Sequence, residues 1–154
     1  MIDILSALII LLPSIVGYKV GDLCNVKDSS GESVKFRPEP KVFGIVWAIL
    51  YIFIGISFLY ALSVPRTQIL VITLYIFLNI ALCSWIYLYS CKDEKILSIY
   101  AMIISIIFAL MCYTVGNTYS KLLITPLIGW LILAAMINVE EVNQMNIQKL
   151  KVKV

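Results

Sequence analysis

The sequence contains no histidine, and only 14% of its residues are charged. Without histidine the chain lacks the commonest general base, the commonest metal ligand and the usual proximal ligand of haem iron. The four cysteines, Cys24, Cys83, Cys91 and Cys112, form no CxxC pair and offer no zinc set. Three of them lie in or beside apolar stretches, where a free cysteine serves as a small packing hydrophobe. The shortage of charge excludes more. An ordinary soluble domain is roughly 25% charged; here 62% of the residues are hydrophobic, and 154 residues cannot bury that much apolar surface in a water-soluble core. The net charge of +3 resides in loops and tail and gives no reason to expect nucleic acid.

What is present is five stretches without a single Lys, Arg, Asp or Glu: residues 4–18, 42–65, 67–91, 96–120 and 122–139. A helix rises ~1.5 Å per residue and a bilayer core is ~30 Å thick, so about 20 apolar residues cross it. The first stretch is short, but Lys19 can snorkel and Val20 can extend it. Asp3 stands where a secretory signal would be basic, and no small-x-small cleavage pattern follows, so this stretch reads as a retained span. The expectation is an all-α integral membrane bundle of five transmembrane helices, one domain over 1–154, with spans at about 4–20, 42–64, 68–91, 96–116 and 122–141. Short connections predict antiparallel neighbours from the second span onward. Ten lysines and arginines fall on the side of the 19–41 loop, the 92–95 turn and the tail, against two (Arg66 and Lys121) on the other. The positive-inside rule therefore makes the tail side, and the C-terminus, cytosolic. Only the loop 21–41 has length; its composition reads as a linker, and its position as a candidate lid. The tail "NQMNIQKLKVKV" reads as polar and basic, suited to an anionic leaflet or to fraying.

Inside the spans the informative residues are amides and aromatics. Asn79 is central in its stretch and has to find a partner, so it is expected to face the bundle interior, for an interhelical hydrogen bond or a ligand. Trp130, nine residues after Lys121 and ten before Glu140, is too deep for the interfacial belt that tryptophan favours and is expected to point inward. Trp47 and Trp85 lie at depths compatible with that belt. Phe43, Trp47, Tyr51, Ile54 and Phe58 recur at spacings of 4, 4, 3 and 4, one helical face. Such a stripe serves packing or lipid contact, or, facing inward beside Trp130, a flat apolar slot for a planar ligand or sterol. Pro13 precedes Gly17 and Gly21, a ridge that permits close helix approach. Pro126 stands near the start of the fifth span, where it can kink the helix.

These residues resemble the TspO/translocator protein family (tryptophan-rich sensory, peripheral benzodiazepine receptor-like proteins). "LPSIVGYKVG" is similar to that family's Pro-Ser and spaced glycines. "RPEPKVFGIVWAILYIFIGIS" follows its pattern at Pro38, Val42, Phe43, Gly44, Val46, Trp47, Leu50, Tyr51 and Gly55. "LYIFLN" matches through Leu78 and Asn79, and "PLIGWLILAAMIN" at Pro126, Trp130, Ala134 and Asn138. The departures are Glu39 for the second proline, Tyr75 near a glutamine position, Leu82 for a tryptophan, Leu127 for a tyrosine, and Val139 for the tyrosine of a proposed cholesterol motif.

The resemblance implies a five-span bundle with a pocket toward the cytosolic loop. It implies ligands that are tetrapyrroles such as protoporphyrin and haem, in some members sterols or drug-like aromatics, with no resident cofactor. It implies a homodimer in the mitochondrial outer membrane or a bacterial envelope. Trp47, Asn79, Trp130 and Ala134 are the ligand residues carried over, joined by Phe43, Tyr51 and Pro38 from the aromatic stripe and the loop. Trp47 and Trp130 also match tryptophans linked in some members to light- and oxygen-dependent porphyrin breakdown. The expected function is a receptor or carrier of planar hydrophobic ligands. The alternatives are an enzyme that degrades porphyrin through those indoles, or a membrane interaction protein without a ligand.

Overall fold

The computed structural model describes residues 4–24, 33–64 and 67–152. The Arg66 turn and the 25–32 part of the long loop, with Lys27, Asp28 and Glu32, lie outside them. Long apolar runs in lipid have one way to satisfy every backbone N–H and C=O within the segment, which is the α-helix. The described residues form five: α1 (Ile4–Leu23), α2 (Pro40–Leu62), α3 (Gln68–Ile86), α4 (Lys95–Val115) and α5 (Thr118–Val152). A π-helical turn, Tyr87–Cys91, extends α3. Hydroxyls along the spans bond back to their own helices, as Thr73 to the Ile69 carbonyl at 2.9 Å and Ser105 to that of Ala101 at 2.9 Å, so none of these needs water.

Among the described residues, four segments are long and apolar enough to cross a membrane: Lys41–Leu62, Gln68–Cys91, Lys95–Val115 and Thr118–Gln148. The chain is thus a multi-pass membrane protein. α1 is not among the four, so the count of five spans is not carried by length and composition. The tail also differs from expectation. It neither frays after residue 141 nor forms a separate element, but continues α5 to Val152. Pro126 is exposed within α5, which runs on through it.

The helices close a ring in the order α1, α2, α5, α4, α3, with α3 returning to α1. α3–α4 and α4–α5 are the sequence neighbours expected. α2 instead packs mainly on α1 and α5, and glycines of α1 and α2 bring that pair together. Gly55 of α2 lies directly on the Ile10 backbone of α1, where a Cβ has no room. Gly17 of α1 in turn receives the Tyr51 ring. In lipid there is no hydrophobic drive to hold helices together, so such close approach is what binds them.

At the end of the bundle where α5 begins, polar groups are fully paired. Ser57, Tyr75 and Ser120, from α2, α3 and α5, form one buried cluster. The Ser57 and Tyr75 hydroxyls are 2.6 Å apart, and Ser57 also donates to the Ser120 carbonyl at 3.0 Å. Asn117 caps α5 by accepting from the Ser120 N–H at 2.9 Å and ties it to α2 by donating to the Tyr60 carbonyl at 2.8 Å.

Two substitutions test this packing. Gly55→Ala puts a methyl into backbone that cannot yield and is expected to cost about 1–3 kcal/mol. Tyr75→Phe removes one hydroxyl from a shared network and is expected to cost about 1 kcal/mol. Thermal unfolding in detergent, followed by helical circular dichroism, reads both as lowered midpoints, with Gly55→Ala the larger.

Candidate ligand pocket

The opposite end of the bundle is hollow. A cavity of about 540 Å³ lies between α1, α2, the end of α3 and α5, within the roughly 300–1,000 Å³ typical of small-molecule sites. The 3.6-residue repeat of α2 aims Phe43, Trp47 and Tyr51 into it. α3 and its π-turn add Trp85, Tyr89 and Ser90, α5 adds Ala134 and Asn138, and α1 adds Ser14, Gly17 and Asp22. Trp47 and Trp85 stack at 5.3 Å and 26°. Tyr51 leans on Trp47 at 5.7 Å, and Tyr89 on Trp85 at 6.0 Å, giving an aromatic wall from two helices.

The polar atoms of this wall are its chemical signature. Trp47 Nε1, Trp85 Nε1, Tyr51 Oη, Ser14 Oγ and the Asn138 side-chain Nδ2 are buried without a hydrogen-bond partner. The first three belong to side chains no more than 9% exposed, and Asn138 is 4% exposed. Burying a donor unpaired costs about 1–3 kcal/mol, so five around one cavity is a large local concentration. An indole N–H donates and cannot accept.

Charge sits at the mouth. The Arg37 guanidinium lines the cavity and lies over the Phe43 ring, 5.9 Å from its centre. Two residues of the loop thus turn toward the bundle: Arg37, and Val34, which is buried. Tyr89 donates to Glu141 Oε2 at 2.5 Å. Lys95 lies 3.9 Å from Glu141 and 3.3 Å from Asp93, and its Nζ stands 3.4 Å over the Tyr89 ring. This group clamps the π-turn to α4 and α5. Glu141 is a largely buried carboxylate, its side chain 13% exposed.

The sequence-derived residues divide as follows. Phe43, Trp47, Tyr51 and Ala134 line the central cavity. Trp130 is half-buried and packs on Phe43 at 5.3 Å without lining it, its Nε1 also unpaired. Pro38 is half-buried in the loop beside Arg37. Asn79 lies elsewhere. Its amide donates to the Tyr75 carbonyl of its own helix at 2.8 Å, and it lines a second cavity of about 570 Å³ between α1, α2 and α3. The residues that sequence reasoning passed over are Trp85, Tyr89, Asn138, Ser14 and Arg37. Trp85 and Tyr89 continue the buried α3 series Leu78, Leu82 at steps of 3 and 4, a periodicity visible in the sequence. Ser14 and Arg37 left no such signal.

A second pairing was also unforeseen: Cys24 and Cys91 form a disulfide, while Cys83 and Cys112 are free. Among the described residues no group of three His, Cys, Asp or Glu comes together to hold a metal.

Fold and site define a multi-pass helical membrane protein with a ligand-sized aromatic cavity at one end. Residues 8–142 match the model of the TspO/MBR family, and the chain belongs to it. That membership points to ligand binding or transport in a membrane. No curated protein matches the sequence.

The clamp is testable. Tyr89→Phe leaves Glu141 without its donor, and a hydrogen bond to a charged group contributes about 1.5–3 kcal/mol. A lowered unfolding midpoint in detergent is expected. Adding Glu141→Gln to Tyr89→Phe should cost less than the two single changes summed, since both remove one interaction.

Proposed function

We propose that the protein is a membrane receptor or carrier for a flat, mainly apolar ligand bearing acceptor oxygens, a tetrapyrrole such as protoporphyrin or haem. The observation that carries this reading is the set of five buried, unpartnered polar atoms on one aromatic-lined cavity. A planar macrocycle suits the stacked wall of Trp47 and Trp85. Its carboxylates suit the indole and amide donors, with Arg37 at the mouth supplying the opposite charge. A sterol, with a single hydroxyl, leaves most of those donors unpaired. The mouth opens on the side that holds ten of the twelve lysines and arginines, which supports a cytosolic pocket entrance and C-terminus.

Titrating protoporphyrin into the purified protein should quench tryptophan fluorescence with saturation. Trp47→Phe with Trp85→Phe removes two donors and part of the wall, and is expected to weaken binding by on the order of tenfold or more. A dissociation constant unchanged in that double variant, read by the porphyrin Soret band, would remove the central cavity as the site.

A further inference from the structure

α1 is a wall one helix thick. Ser14, Gly17 and Gly21 on one face line the central cavity, and Leu12, Val16 and Val20 on the other line the second cavity. The second cavity also takes in Ile72, Ile76 and Ile80 of α3, which are exposed and so lie on the lipid side. Moving α1 would therefore join the bilayer to the ligand pocket.

The mechanics of α1 suit such movement. Its early part is held where Ile10 backbone meets Gly55. Pro13 follows three residues later, inside the helix, where a missing N–H and a ring clash create a hinge. Beyond the hinge, α1 meets the rest of the bundle through small residues and an aromatic side chain, Gly17 on Tyr51, which can slide. The far end is fixed covalently, by the Cys24–Cys91 disulfide. Cys24 follows α1 directly, two residues past Asp22, and Cys91 adjoins Ser90. Both Asp22 and Ser90 line the central cavity, so the bond lies beside its lining.

That end of the bundle is on the side the charge distribution assigns to the cytosol, where thiols are kept reduced and the disulfides that do form are mostly transient and redox-sensing. We infer that Cys24–Cys91 is a redox latch on α1: oxidised, it holds α1 as the wall between the central cavity and the lipid-side cavity; reduced, it lets α1 swing about Pro13 and admits ligand from the bilayer. The closing step is thiol–disulfide exchange. The two cysteine thiols and one oxidised glutathione, or an equivalent small disulfide, give the Cys24–Cys91 bond and two reduced glutathiones, with no net gain or loss of protons. The inference rests on the central cavity being the ligand site proposed above.

The test uses the full chain in lipid nanodiscs, equilibrated with oxidised or reduced glutathione, and Cys91→Ser under both conditions. Cys91 is exposed, so serine there disturbs no packing, and reduced wild type provides the same open state without substitution. Two readouts are taken: acrylamide quenching of tryptophan with Trp130→Phe in every sample, which reports access to Trp47 and Trp85, and the association and dissociation rates of protoporphyrin. Reduced wild type and Cys91→Ser should both quench more than oxidised wild type. Both should exchange protoporphyrin faster, on the order of tenfold, as gating steps set exchange rates. Equal quenching in oxidised and reduced wild type would overturn the latch, as would mass mapping that finds Cys24 and Cys91 unpaired under oxidised glutathione. If protoporphyrin binds neither form, the tetrapyrrole reading falls, while acrylamide access still decides the latch.

Discussion

Inside a bilayer a polar atom has no water to fall back on, and the architecture follows from where this chain satisfies that demand and where it does not. At the end where α5 begins, Ser57, Tyr75, Ser120 and Asn117 pair with one another and with the backbone, so three helices are joined. At the other end five buried polar atoms surround a cavity and stay unpaired. The first arrangement holds the bundle, and the second is affordable because the first, with glycine packing, supplies the stability. A cavity whose lining residues carry unmatched polar atoms is a candidate ligand site.

The shape of the pocket depends on α1. It meets α2 through a glycine that leaves no space for a methyl group, carries a proline just beyond that contact, and ends in a disulfide beside the cavity lining. Fixed at one point, hinged at the next and tethered at its tip, it separates two cavities. The Tyr89–Glu141–Lys95 clamp does the corresponding work across the bundle, holding the π-turn so that Trp85 and Tyr89 face inward.

Much of this was legible in the chain. Uninterrupted apolar runs gave four membrane-length helices, because in lipid local hydrogen bonding and hydrophobicity select the same structure. The 4, 4, 3, 4 spacing of Phe43 through Phe58 placed one face of α2, since helical periodicity is local. Asn79 shows the boundary. Position along a stretch says nothing about rotation, and its amide turned to the Tyr75 carbonyl four residues back. Glu141 was equally hidden, because a carboxylate at the end of an apolar run looks solvated until α3 and α4 cover it.

Composition and periodicity, acting over single turns of helix, determined by themselves that the chain is α-helical, that most of it belongs in a membrane, and that one side of α2 is an aromatic stripe. Tertiary structure alone decided that α2 sits between α1 and α5, that Trp85 rather than Trp130 stacks on Trp47 in the cavity, and that Cys24 meets Cys91 across 67 residues. Those outcomes depend on how helices rotate and approach one another, which is set by small residues and side-chain fit between distant segments. A linear pattern records which residues share a face, and only packing determines what that face meets.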